Sequence, residues 1–175
     1  MRLVALLGLV LAVALAGWVG WHRYGPRVAA PPLAPEASRI DHILIEKSAR
    51  RLTATLDGAV VMQAEIALGF APEGDKIREG DGKTPEGIFR IDRRNPQSAF
   101  HLSLGIDYPQ PDDRERARQG NYSPGGDIFI HGQPNGVTGF TLPGDWTLGC
   151  IAISNAEMVQ LWRLTATGTT VEIRP

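Results

Sequence analysis

Hydrophobic and polar positions divide the chain into three stretches. Leu3 to Gly20 is an unbroken, uncharged apolar run behind Arg2. As a helix its 18 residues would extend about 27 Å, close to the ~30 Å hydrocarbon core of a bilayer. Two readings of residues 1–24 stand side by side. Ala14-Leu15-Ala16 fits the small-x-small pattern of a cleaved export signal. Trp18, Trp21 and Tyr24 suit the interfacial belt of an uncleaved anchor. Either one exports the rest of the chain to the periplasm or cell envelope, and the anchor would also hold it at the inner membrane. Gly25 to Ser38 is a Pro/Ala-rich linker without periodicity, which predicts an extended spacer. Residues 39–175 then make one folded domain.

Inside that domain the period is mostly two. Arg39 to Glu46 alternates, with Ile43 and Ile45 against His42 and Leu44. Arg51 to Leu56 and Ala59 to Leu68 flank Asp57-Gly58, the pair favoured in a type I′ hairpin turn. Gly69 to Gly82 is glycine-rich and charged, hence a loop. Gly87 to Ile91, Phe100 to Leu104, Asp127 to His131, Cys150 to Ile153 and Thr169 to Ile173 are further short strands. Two segments are helical. Asp112 to Gln119 carries acids first, bases later and Gly120 as its stop. Ala156 to Leu164 follows a Ser154/Glu157 capping box and lines up Met158, Leu161 and Trp162 on one face, with Trp162 read as core. The pattern predicts a mostly β (α+β) domain, a sandwich or partly closed barrel with two short helices.

Composition narrows the function classes. The net charge is −1 overall. Residues 39–175 hold 15 basic and 18 acidic side chains. This argues against a nucleic-acid partner, whose binding runs on phosphate neutralisation. Twenty glycines and 13 prolines fit a linker plus many short, punctuated strands. The lone cysteine excludes an internal disulfide and a Cys-based zinc site. Four scattered histidines lack ligand spacing, and neither a Walker loop nor a dinucleotide fingerprint occurs. No metal or cofactor is expected, and the expected state is a monomer.

Cys150 is then the residue to explain. A free thiol in an oxidising compartment is at risk of oxidation, so it is either a small buried hydrophobe or a functional group. Gly149 before it lets the backbone approach a ligand and aim successive N–H groups at one point, as an oxyanion site requires. His131 ends an apolar strand and is followed by Gly132. An imidazole there could activate a thiol that is otherwise mostly protonated at neutral pH. His22 falls at the membrane edge and His42 on a strand. His101 either packs or lines a cleft.

These residues resemble a known family. Ile130-His131-Gly132 followed by Thr147-Leu148-Gly149-Cys150-Ile151 is similar to the His-Gly…Ser/Thr-x-Gly-Cys signature of the L,D-transpeptidase (YkuD-like) catalytic domain. Gly82-Lys83-Thr84-Pro85-Glu86-Gly87-Ile88-Phe89 is like its Thr-Pro-x-Gly-x-Phe segment, and His101 to Pro109 is like its central strand. The three lie in family order. The resemblance implies a β-rich sandwich and a cysteine acyl transferase acting on peptidoglycan stem peptides. Cys150 would attack the third residue of a tetrapeptide stem and release D-Ala. His131 would be the general base, the Gly132 carbonyl would fix its tautomer, and the Gly149 and Cys150 N–H groups would hold the oxyanion. Thr147, Leu148, His101 and Asn155 would line the substrate. Replacement of His131 is expected to spare the fold, as a base at a cleft edge carries little packing. An amine acceptor gives a cross-link. Water would instead give a carboxypeptidase or endopeptidase, and a wall-binding module without catalysis is a third reading. Two positions depart from the family: Leu148 stands where many members have His, and Ala152 where many have Arg. A substrate carboxylate would then be met elsewhere, with Arg90, Arg93 and Asn155 as candidates.

Overall fold

The computed structural model describes residues 12–18 and 29–175. Residues 12–18 are helical, and the rest of the apolar run, together with Trp21 and Tyr24, lies outside the described residues. Among the described residues no helix is long and apolar enough to cross a membrane. The elements of the domain are β1 (His42–Glu46), β2 (Arg51–Leu56), β3 (Ala59–Glu65), β4 (Gly87–Asn95), β5 (Ser103–Ile106), α1 (Pro111–Gln119), β6 (Phe129–His131), β7 (Ile151–Ala152), α2 (Asn155–Leu164) and β8 (Thr170–Arg174). A single 3-10 turn, Glu36–Ser38, precedes them.

The strands form one mixed eight-stranded sheet in the order β3-β2-β1-β8-β4-β5-β6-β7, so the two stacked sheets of a sandwich are absent among the described residues. β1 and β8 run parallel, as do β6 and β7; the other pairs are antiparallel. β4 is longer than its Gly87–Ile91 core because it changes partner. Gly87 to Arg90 pair with β8, whereas Ile91 and then Arg93 to Asn95 pair with β5, across a register shift between Ile91 and Arg93. Such an irregularity bends a strand and raises its twist, which curls the sheet. The chain beyond β3 then reaches the opposite edge. Ala67 and Ala152 exchange two backbone hydrogen bonds of 2.8 Å, and Thr147 N–H meets Leu68 O at 3.0 Å. The result is a partly closed barrel.

Local chemistry explains the elements. Asp57 and Gly58 both take positive φ (50° and 76°), as the hairpin turn demands. Ser154 and Glu157 close a reciprocal cap on α2, worth about 1 kcal/mol. Met158, Leu161 and Trp162 on that helix join Ile43, Ile45, Leu52, Leu104, Ile130, Ile151 and Val171 in one core. The second half of the spacer is docked. Buried Trp162 needs an acceptor for its indole N–H and finds Pro31 O at 3.0 Å, while Ala34 N–H donates to Arg163 O at 2.7 Å.

Candidate active site

The parallel pairing of β6 with β7 builds the site. Ile130 lies opposite Ile151 and His131 opposite Ala152, so Cys150 falls opposite Phe129. Side chains alternate between faces, which puts Ile130 and Ile151 in the core. His131 and Ala152 therefore share the other face, and Cys150 leads into β7 directly before that pair. The Cys150 thiol is half-buried and leans on the Asp127 carbonyl, with Sγ 3.5 Å from that oxygen. Burial pushes its pKa up. The Phe129 N–H, Lys76 and Arg93 pull it the other way, and the Asp127 carboxylate adds to the rise.

His131 is only 4% exposed. Its ring packs against Phe100 at 4.6 Å between centroids and edge-on against Trp146 at 5.8 Å. The expectation that this residue carries little packing is therefore corrected. Burial pulls the imidazole pKa below its ordinary value, and the Gly132 carbonyl offsets this only in part. Nδ1 lies 2.7 Å from Gly132 O. A carbonyl can only accept, so Nδ1 carries the proton and Nε2 keeps the lone pair.

The turn before Cys150 is stapled by Thr147. Its buried hydroxyl accepts from Gly149 N–H at 3.1 Å and donates to Cys150 O at 2.7 Å. Of the two N–H groups expected at the oxyanion, that of Gly149 thus has an internal partner. Gly149 takes φ 133°, and a Cβ there would sit 2.6 Å from Lys83 O. Only glycine satisfies both constraints. Leu148 points out at 77% exposure, so it forms the rim and not the base of the site.

Two expected site residues serve structure instead of a cleft. His101 adopts φ 62°, its Cβ crowds Gly132, and its Nε2 is buried without a partner. Burial lowers its pKa as well. Asn155 opens α2, and its Oδ1 accepts from Gln133 N–H at 2.7 Å. Of the arginine candidates, Arg90 is engaged with Gly168 O at 3.0 Å on the β4–β8 side. Arg93 lies over the Phe129 ring at 4.5 Å and pairs with Asp92 and Asp127, beside the thiol.

Several site residues escaped the sequence reading. Asp145 accepts from Leu68 N–H at 2.8 Å and pairs with Arg50 at 2.7 Å. Gln133 is buried and bridges Ile153 O (2.8 Å) and Leu142 N–H (2.9 Å). Phe100 and Trp146 form the aromatic walls. Trp146 and Asp145 adjoin the Thr-x-Gly-Cys segment, the one local signal that marks them.

A sequence model of the L,D-transpeptidase catalytic domain (YkuD) matches residues 40–173. The chain belongs to the L,D-transpeptidase family. Among curated relatives it is 28% identical over 104 residues to YafK of Escherichia coli, itself named only as a candidate L,D-transpeptidase. That match covers 58% of this chain and 35% of YafK, so the chain spans about a third of the relative's length. The L,D-transpeptidase fold recurs in the helical cell shape determining protein Pgp2 of Campylobacter jejuni. Pgp2 is 26% identical with a TM-score of 0.59, over 83% of this chain and 51% of its own. An L,D-transpeptidase from Mycobacterium smegmatis, 13% identical with a TM-score of 0.52, shares the fold over 77% of this chain and 58% of its own.

Proposed function

We propose that this chain is a cysteine L,D-transpeptidase of the cell envelope that acts on peptidoglycan tetrapeptide stems. The observation that carries the reading is the β6/β7 register. It brings the segment that carries the Cys150 thiol, one residue before β7, alongside β6, which carries the Nδ1-protonated His131 imidazole. Cys150 Sγ turns from the Asp127 carbonyl toward His131 Nε2, gives up its proton and attacks the carbonyl carbon of the third stem residue. The Cys150 N–H faces the developing oxyanion. The tetrahedral intermediate collapses as the C–N bond to D-Ala breaks, and His131 returns the proton to the leaving amine. A thioester remains. An acceptor amine attacks it, His131 takes the amine proton, and the sulfur leaves as thiolate and is reprotonated.

Arg93 is the cation that suits a substrate carboxylate in the absence of an arginine at position 152. The N-terminal run would deliver the domain to the outer face of the inner membrane, with or without cleavage. The test is incubation of the protein with a defined tetrapeptide muropeptide and mass analysis of the products. Released D-Ala with a dimer or exchanged stem supports transfer, and D-Ala with a tripeptide identifies the hydrolase. Neither product from a folded protein, with no mass added by a carbapenem, rejects catalysis.

A further inference from the structure

Gly132 O and Gln133 N–H are the two ends of one planar peptide. His131 Nδ1–H holds the carbonyl end at 2.7 Å, and Asn155 Oδ1 holds the N–H end at the same distance. A peptide plane tied at both ends cannot turn about its axis. The residues on either side are fixed as well. Gly132 N–H donates to Phe100 O at 3.1 Å, and the Gln133 amide spans Ile153 O and Leu142 N–H. Asn155 is placed by the first turn of α2, whose start is set by the Ser154/Glu157 cap.

The same contact explains the glycine. Gly132 does not take a positive φ. A Cβ there would nonetheless lie 2.6 Å from Asn155 Oδ1 and 2.9 Å from His101 Cβ. The close approach of Asn155, and not a backbone angle, is what excludes a side chain.

We propose that Asn155 is a positioning residue: through the Gly132–Gln133 peptide it holds His131 in the Nδ1–H tautomer, leaving Nε2 free to take the proton of Cys150. The role rests on the reading of His131 as the base. Without the Asn155 acceptor the buried Gln133 N–H is unsatisfied, and a turn of the peptide to find a partner swings Gly132 O off Nδ1. The imidazole then loses its reason to prefer one tautomer, and the wrong tautomer presents N–H to the thiol.

The test is made on the full chain in detergent with ¹⁵N-labelled histidine. Wild-type His131 is expected to show the Nδ1–H pattern by NMR. Asn155→Ala raises the Nε2–H population and slows D-Ala release from a tetrapeptide stem by about 100-fold in kcat, with KM little changed. Asn155→Asp keeps an acceptor of the same size, and it keeps the tautomer with a rate within a few-fold of wild type. Asn155→Ala with an unchanged tautomer overturns the proposal. So does Asn155→Asp with the tautomer lost, which decides the matter if the alanine variant does not fold. The tautomer is read without substrate, so a wild-type protein inert toward muropeptides would count against the proposed reaction and leave this reading standing on its own result.

Discussion

Cys150 and His131 are each held toward the neutral form, a thiol and an imidazole. Burial raises the pKa of one and lowers that of the other, so each moves away from its charged form. No standing thiolate–imidazolium pair is implied, and in the proposed reaction the proton would move only when a carbonyl is in place to be attacked. This gives two pH limbs. Alkylation of Cys150 by iodoacetamide needs the thiolate, so its rate should be half-maximal above ~8.5, the value for an ordinary cysteine. Acylation needs Nε2 unprotonated, so its acid limb should lie below ~6.5, the ordinary histidine value. The sign is fixed by the direction of each shift: a depressed imidazole stays a base as the pH falls. An alkylation profile that titrates below pH 7 would mean a preformed ion pair and would sink the neutral-pair account. The Thr147 hydroxyl serves as both donor and acceptor across the turn that leads into Cys150.

At the scale of elements, local pattern was enough where the determinant is local. The Arg51–Leu56 hairpin follows from alternation plus Asp57-Gly58, and α2 from its cap and its Met158/Leu161/Trp162 stripe. Elements shifted where a tertiary contact decides. β5 starts at Ser103, not Phe100, because His101 breaks extended structure to bring its N–H to Asn135 Oδ1 at 2.9 Å. β7 keeps only Ile151 and Ala152 because the Thr147 staple turns Cys150 out of the ladder. Gly69 to Gly82 was legible as a loop, which runs on to β4 at Gly87, but not as a supporting wall. Buried Lys47, at the end of β1, donates to Gly74 O (2.7 Å), Thr84 O (3.2 Å) and Glu86 (2.7 Å). This pins the segment whose Lys83 carbonyl abuts Gly149. Asp81, pushed up by burial but held down to about 2 by Lys76 and three backbone N–H groups, tightens the same loop. Lys47→Met fills the space without donating, so it should cost about 2 kcal/mol in urea unfolding. Limited proteolysis within residues 73–86 should accelerate and D-Ala release should slow. Proteolysis at the wild-type rate would show that the loop is ordered by something other than Lys47.

For the whole molecule the decisive feature is closure, which no local pattern carries. The hydrophobic alternation reads out strands, and the family motifs read out the thiol, the imidazole and its carbonyl. What joins them is pairing across long sequence separations. Residues 66–70 leave one edge of the sheet and run beside 147–152 at the other, so Cys150 sits on the seam. Asp145 fastens that seam. Its carboxylate takes Leu68 N–H from the crossing segment at 2.8 Å and the Arg50 guanidinium from the β1–β2 turn at 2.7 Å, and Arg50 in turn donates to Lys47 O. Three separate stretches of chain thus meet on one side chain two positions before Thr147. The Arg50–Asp145 pair is only partly buried, at 35% and 18% exposure, so its charge attraction alone contributes little. The larger loss on removing Asp145 is the Leu68 N–H left without an acceptor. Asp145→Ala should therefore destabilise the domain by about 2 kcal/mol, a fall of about 6 °C in Tm. Asp145→Asn retains an acceptor oxygen and should recover more than half of that. Acylation of Cys150 should fall further in Asp145→Ala than its unfolded fraction accounts for, because the turn carrying the thiol is released at one end. Thermal melts of the three proteins, with acylation rates at a temperature where all are folded, check both parts. A melting point for Asp145→Ala equal to wild type would mean that the seam is held by its backbone bonds alone.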